Sequence, residues 1–341
     1  KEKGKERMSE EKVLKLRANE ELVNTVKVVG YLKAKTIEEG KTSDNKGYIR
    51  GSLSVLTSDT QTTTVDFYFG KETKEGNISK LYENAKKLKE YVSIVDLIEG
   101  KVEDVKAKDE EEAKALCDIV QINGNINPNE YINENDELVS RPKINGKFFH
   151  RIDKANVKYD TFGAFFEADI FFKSIKPETK NNIETGRAVI EAVVPTSINP
   201  AIVGAMTFYV TKDEGAADFI LDNYSKKQTG SVYGEFVVTR TEEKTSGGFG
   251  AKNKASSDSV SFEWIITGGE KRQYDEESKN AFDIEVLKEA LAQRLEYAKE
   301  QKAKKKDKSA KGGFGARANV SNNISKKQAD SIASKFDDED F

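Results

Sequence analysis

The chain has 341 residues, 36% hydrophobic and 34% charged, an apolar share low for one compact globule, so part of its length is expected to be solvated chain. Its 56 basic and 59 acidic side chains leave a net charge of -3, which excludes a globally basic nucleic-acid binder while allowing local asymmetry. One cysteine, Cys117, and one histidine, His150, exclude disulfide frameworks, cysteine-rich zinc sites and paired-histidine metal sites.

No apolar run approaches the roughly 20 residues of a membrane span. No apolar signal core follows the basic residues 1–7. The segment Met8-Ser9-Glu10-Glu11 reads equally as a native start behind added residues or as the interior of a processed chain. A cytoplasmic protein is expected, with no cofactor, no metal and no membrane partner.

Residues 9–22 read as a short helix, with Val13, Leu14, Leu16 and Leu22 apolar among charges. Period-2 alternation then predicts strands over 26–33, 48–56 and 64–69. Gly70 and Gly76 break the chain, Asn77 is placed to cap a helix through Glu90, and residues 101–116 form a charged helix. Two more strands are expected near 119–126 and 143–152, joined by a hairpin arm. Three strands, a helical insertion and two strands is the chain order of a five-stranded Greek-key OB barrel. The order recurs: strands at 165–173, 187–194 and 202–210, a helix at 214–224, then strands at 231–240 and 259–267. The chain is therefore read as mainly β. Two OB-like barrels occupy 23–153 and 154–275, behind an N-terminal extension (1–22). An amphipathic helix (276–301) and a disordered basic linker with an acidic tip (302–341) follow.

Alternation sorts the first barrel's side chains into two sets. Val26, Val28, Leu32, Ile49, Leu53, Val55, Val65, Phe67 and Phe69 belong inside. Tyr31, Tyr48 and Tyr68 fall outside with Lys27, Lys33 and Arg50. Bases stack on aromatic rings at about 1–3 kcal/mol each while cations contact phosphate, so this face is a candidate platform for single-stranded nucleic acid. Tyrosine enrichment in half-buried strands is the structural alternative. The arm adds Tyr131, Arg141, Lys143 and Lys147, followed by Phe148 and Phe149. It reads either as a loop closing over ligand or as a structural hairpin. On the second barrel the expected outward residues are Glu167, Asp169, Glu191, Glu235 and Glu263, which repel phosphate. That barrel is read as a scaffold or a protein-contact module.

The tail carries a basic run from Lys299 to Lys311 and then Phe336, Asp337, Asp338, Glu339, Asp340 and Phe341. An acidic peptide with an apolar tip suits a hydrophobic pocket rimmed by cations on a partner protein. The string Gly247-Gly248-Phe249-Gly250-Ala251-Lys252 recurs as Gly312-Gly313-Phe314-Gly315-Ala316-Arg317. It lacks the lysine and Ser/Thr pattern of a phosphate-binding loop.

Gly30-Tyr31-Leu32, Phe69-Gly70-Lys71, Ile122-Asn123-Gly124-Asn125-Ile126 and the ending Asp337-Asp338-Glu339-Asp340-Phe341 together resemble single-stranded DNA-binding proteins of the bacterial and phage type. The resemblance spans roughly 23–153 plus the tail. It implies non-catalytic coating of exposed strands and recruitment of replication or recombination proteins through the tail. It also implies a possible homo-oligomer, and a bacterial host cell if the gene is a phage's. Asp340 stands where that family usually has proline, and two barrels replace the usual one. The competing readings are a viral assembly protein built from β barrels without DNA affinity, and a metal-dependent nuclease using the acidic strand residues.

Overall fold

The computed structural model describes residues 15–242, 258–270 and 273–311. Its first half holds β1 (Asn24–Lys41), β2 (Gly47–Leu56) and β3 (Thr62–Gly70), then α1 (Lys80–Lys86), α2 (Ile94–Ile98) and α3 (Glu110–Leu116), then β4 (Ile119–Asn127). A small hairpin of β5 (Glu130–Ile132) and β6 (Leu138–Ser140) precedes β7 (Lys143–Ile152). β1 pairs antiparallel with both β2 and β4, β2 with β3, and β4 with β7; a short parallel pairing of β3 with β7 closes the ring.

The second half repeats the connectivity. It has β8 (Gly163–Lys180), β9 (Ile183–Ile198), β10 (Ala201–Val210), α4 (Ala216–Asn223), β11 (Thr229–Glu242) and β12 (Asp258–Gly269). β8 pairs with β9 and β11, and the parallel pair is β10 with β12. Each half is thus a five-stranded OB barrel by strand order. Both first strands even bulge at matching places, between Leu32 and Ala34 in one and between Phe172 and Ser174 in the other. A bulge adds twist, which lets one long strand coil around a small barrel. At Gly51 a Cβ would lie 1.9 Å from the Thr36 carbonyl oxygen, so only glycine admits this strand approach.

The barrels join through β1 and β8, which run antiparallel with Val26 opposite Phe166. One ten-stranded sheet results. The core is continuous across the seam: Val26, Val28, Leu53, Phe67 and Phe149 belong to the same buried cluster as Phe166, Phe172, Phe208 and Trp264. Period-2 alternation creates it. In β3, Val65 and Phe67 are buried while Tyr68 between Phe67 and Phe69 is exposed.

Several local expectations are corrected. First, the described part of the predicted N-terminal helix, from Lys15, is extended. Leu16 donates its N–H to the Ile198 carbonyl, accepts from the Asp283 N–H, and is fully buried in a second core with Phe171, Phe282 and Leu287. Tertiary burial overrides helix propensity here. Second, Asp169 does not face outward; it is buried, 2.8 Å from the Arg17 guanidinium, which also lies over Phe282. Third, the charged segment 101–116 is helical only in α3, capped by Asp109, whereas α2 begins at a Ser93–Asp96 capping box. α1 is capped by Ser79 rather than Asn77. Fourth, the last helix, α5 (Ile284–Lys311), runs beyond the 302 boundary at which a linker was expected. Arg294 on it reaches Glu130 of the arm and Lys302 reaches Asp136, so two ion pairs tie the helix to the first barrel.

Candidate nucleic-acid interface

β2 and β3 place Tyr48 opposite Gly70 and Arg50 opposite Tyr68. The two tyrosine rings therefore sit diagonally on the outer face and stack, with centroids 5.3 Å apart and planes at 24°. Tyr48 lies across Gly40 of β1, where a Cβ would come within 2.6 Å of its hydroxyl oxygen. Tyr68 is 54% exposed. The Arg50 guanidinium lies 5.6 Å from the Tyr48 ring centre and donates through Nε and Nη2 to Glu38 Oε2 at 3.0 and 2.8 Å. The hydrogen bonds that Arg50 gives to Glu38, and the carboxylate's charge, hold the Arg50 guanidinium above its ordinary value. On the same face, Lys143 Nζ donates to Asp66 Oδ2 at 2.8 Å.

Tyr31 is elsewhere. It packs edge-on against Phe162 at 5.2 Å and beside Tyr159 at 6.3 Å, in the segment linking the barrels. Burial first, then the Tyr159 hydroxyl, pushes its phenol up. Tyr31 is paired with Leu56, eight positions along β2 from Tyr48, a separation of about 27 Å at strand rise. The expected row of three tyrosines is thus a pair and a distant third ring. Parity assigns a side chain to the outside of a barrel; it does not say where around the circumference it lies. Lys33 sits at the bulge and donates to the Thr62 hydroxyl at 3.5 Å.

Lys27 and Lys147 fall on a second surface, a groove of about 760 Å³ at the seam of the barrels. The pairings line up Phe148, Asn123, Lys27, Phe165 and Glu235 across five strands, with Tyr233 two positions along β11, opposite Glu167. Phe148 and Tyr233 are half exposed. The sequence reading did not assign Phe165 or Tyr233, because their proximity to Lys27 depends on the β1–β8 pairing between barrels.

The hairpin of the arm docks on the second barrel. Glu130 accepts from the Ala205 N–H at 3.3 Å and from Arg294 at 3.0 Å, and Ser140 donates to the Ala205 carbonyl at 2.7 Å. A Cβ at Gly204 would meet Pro128 at 2.0 Å, so glycine lets the arm approach. Tyr131 and Arg141 travel with the arm, the guanidinium 5.8 Å from the ring centre. Residues 336–341 and both Gly-Gly-Phe-Gly-Ala strings lie outside the described residues. Among the described residues no group of three or more His, Cys, Asp or Glu is gathered as a metal site, and no helix is long and apolar enough to cross a membrane.

The strand order and the two aromatic surfaces define a tandem OB-barrel protein. A family profile for YorF matches residues 22–310, and the chain belongs to the YorF family. No curated protein sequence matches it. Among solved structures it is similar to the single-stranded DNA binding protein from Thermus aquaticus, at 9% identity and a TM-score of 0.40, over 75% of this chain and 96% of that one. It is also similar to the mitochondrial single-stranded DNA binding protein Rim1 from S. cerevisiae, at 13% identity and a TM-score of 0.22, over 38% and 95%. A third is the N-terminal domain of PriB from Thermoanaerobacter tencongensis, at 14% identity and a TM-score of 0.18, over 38% and 98%.

Proposed function

We propose that this chain is a non-catalytic protein that binds single-stranded DNA on the outer face of β2 and β3. The observation that supports it is the exposed Tyr48–Tyr68 stack with Arg50 beside it. The corresponding strands of OB barrels are where oligonucleotides lie. In this reading Tyr48 and Tyr68 stack bases, Arg50 and Lys143 contact phosphate, and Lys27 and Lys147 with Phe148 carry the strand toward the seam. The acidic–aromatic segment 336–341 docks replication or recombination proteins, in keeping with its chemistry.

Fluorescence titration of the full chain with labelled oligo-dT and with duplex, across a salt series, tests this. Tight dT binding with weaker duplex binding is expected. Absence of binding at low salt would leave a β-barrel assembly protein as the better reading. Deleting residues 336–341 should abolish capture of replication proteins while leaving dT affinity intact or higher.

A further inference from the structure

We propose that Glu38 and Asp66 mask the charge of the tyrosine platform, acting as built-in competitors of the strand's phosphates. This rests on the reading of that face as a DNA platform. Two cations on the outer face that carries the stacked rings are each engaged by a carboxylate of the same sheet, Arg50 by Glu38 and Lys143 by Asp66, both at 2.8 Å. Both pairs are open to solvent, with side chains 53% and 53% exposed in one and 42% and 39% in the other. Exposed pairs of this kind are weak and exchange readily. A phosphate that takes Arg50 from Glu38 strands a carboxylate beside the bound strand. That carboxylate gathers counterions from solution as the phosphate releases its own, so the two effects partly cancel. Stacking then supplies most of the affinity, and the platform discriminates against duplex, which offers phosphates but no free base faces.

The test compares dT affinity and its salt slope in wild type, Glu38→Gln, Asp66→Asn and the double variant, with Glu277→Gln, exposed in the connection between β12 and α5, as a charge-matched control. Each platform substitution should tighten binding roughly two- to five-fold at low salt. Each should also steepen the slope of log affinity against log salt by about 0.7, the value per single-strand phosphate contact. Arg50→Gln should cost little in wild type and several-fold more in the Glu38→Gln background, a coupling that a general charge effect does not produce. Circular dichroism confirms that these exposed variants are folded. Unchanged affinity and slope in all platform variants, an equal gain in Glu277→Gln, or an Arg50→Gln cost independent of background would each overturn the mask. Failure of wild type to bind dT at any salt overturns the platform itself, and is recognised by its independence of these substitutions.

Discussion

Each barrel has an arginine on its second strand facing a glutamate on its first, and the two are built differently. In the first barrel Arg50 and Glu38 sit in solvent, beside an exposed tyrosine stack. In the second, Arg187 lies 3.0 Å from Glu263 and 3.7 Å from Glu178, with the side chains only 21%, 17% and 8% exposed. Its guanidinium covers the Tyr209 ring at 4.7 Å. Burial, then the charges of Glu263 and Glu178, push the Tyr209 phenol up. One strand order therefore supports an openable face and a closed one. What separates them is how the tyrosine on the third strand is covered. Tyr68 is 54% exposed and stacks on Tyr48, whereas Tyr209 lies beneath the Arg187 guanidinium.

The largest expected effect concerns the arm, which leaves the first barrel and joins the second. The Glu130 side chain is 2% exposed and depends on Arg294 for charge compensation. Arg294→Ala should destabilise the fold by about 3–5 kcal/mol, as loss of one partner from a buried pair does. Thermal unfolding measures this, and dT affinity below the transition should stay within two-fold. A variant of normal stability that loses DNA would make the arm part of the binding face after all.

Next in size is the platform. Tyr48→Ala with Tyr68→Ala should cost about 1–3 kcal/mol per stacked base in dT binding, without unfolding the protein. Tyr209→Ala should leave affinity unchanged while lowering the melting temperature. Equal losses of affinity in the two barrels would break the contrast between an open and a closed face.

Much of this contrast was readable in advance, and the unread part has a physical pattern. In β3 every residue meets either barrel interior or solvent, so alternation alone placed Val65 and Phe67 inside and Tyr68 outside. In β8 the outer face is also covered, by Leu16, Phe282 and Leu287, so Phe171 and Phe172 are both buried and the alternation vanishes. Parity therefore does not place Asp169, which is buried. The Arg50–Glu38 and Arg187–Glu263 pairs depend on strand register, and the Lys27–Phe165 neighbourhood depends on the pairing of two barrels. Periodicity carries neither kind of information. Tyr31 shares parity with Tyr48 and lies far from it because the register pairs Tyr31 with Leu56 and Tyr48 with Gly40, at opposite ends of the β1–β2 ladder.

The smallest effect is an acid-limb difference, and it probes the closed face alone. Burial raises the Glu178 carboxyl, but the Thr185 hydroxyl and the Arg187 and Lys180 cations outweigh it and hold the group below its ordinary 4.5. A carboxyl with a depressed folded value binds fewer protons folded than unfolded in the window beneath 4.5. Its contribution is therefore fully present above that window and is lost as pH falls through the folded value. The melting temperature of wild type should fall more steeply with acid in this range than that of Glu178→Gln, whose amide has no proton to gain. Since Glu178 belongs to the Arg187 network and not to the platform, the two proteins should bind dT equally at neutral pH. Superimposable acid limbs would mean that Glu263 alone holds Arg187 over Tyr209, and that the closed face rests on one carboxylate rather than two.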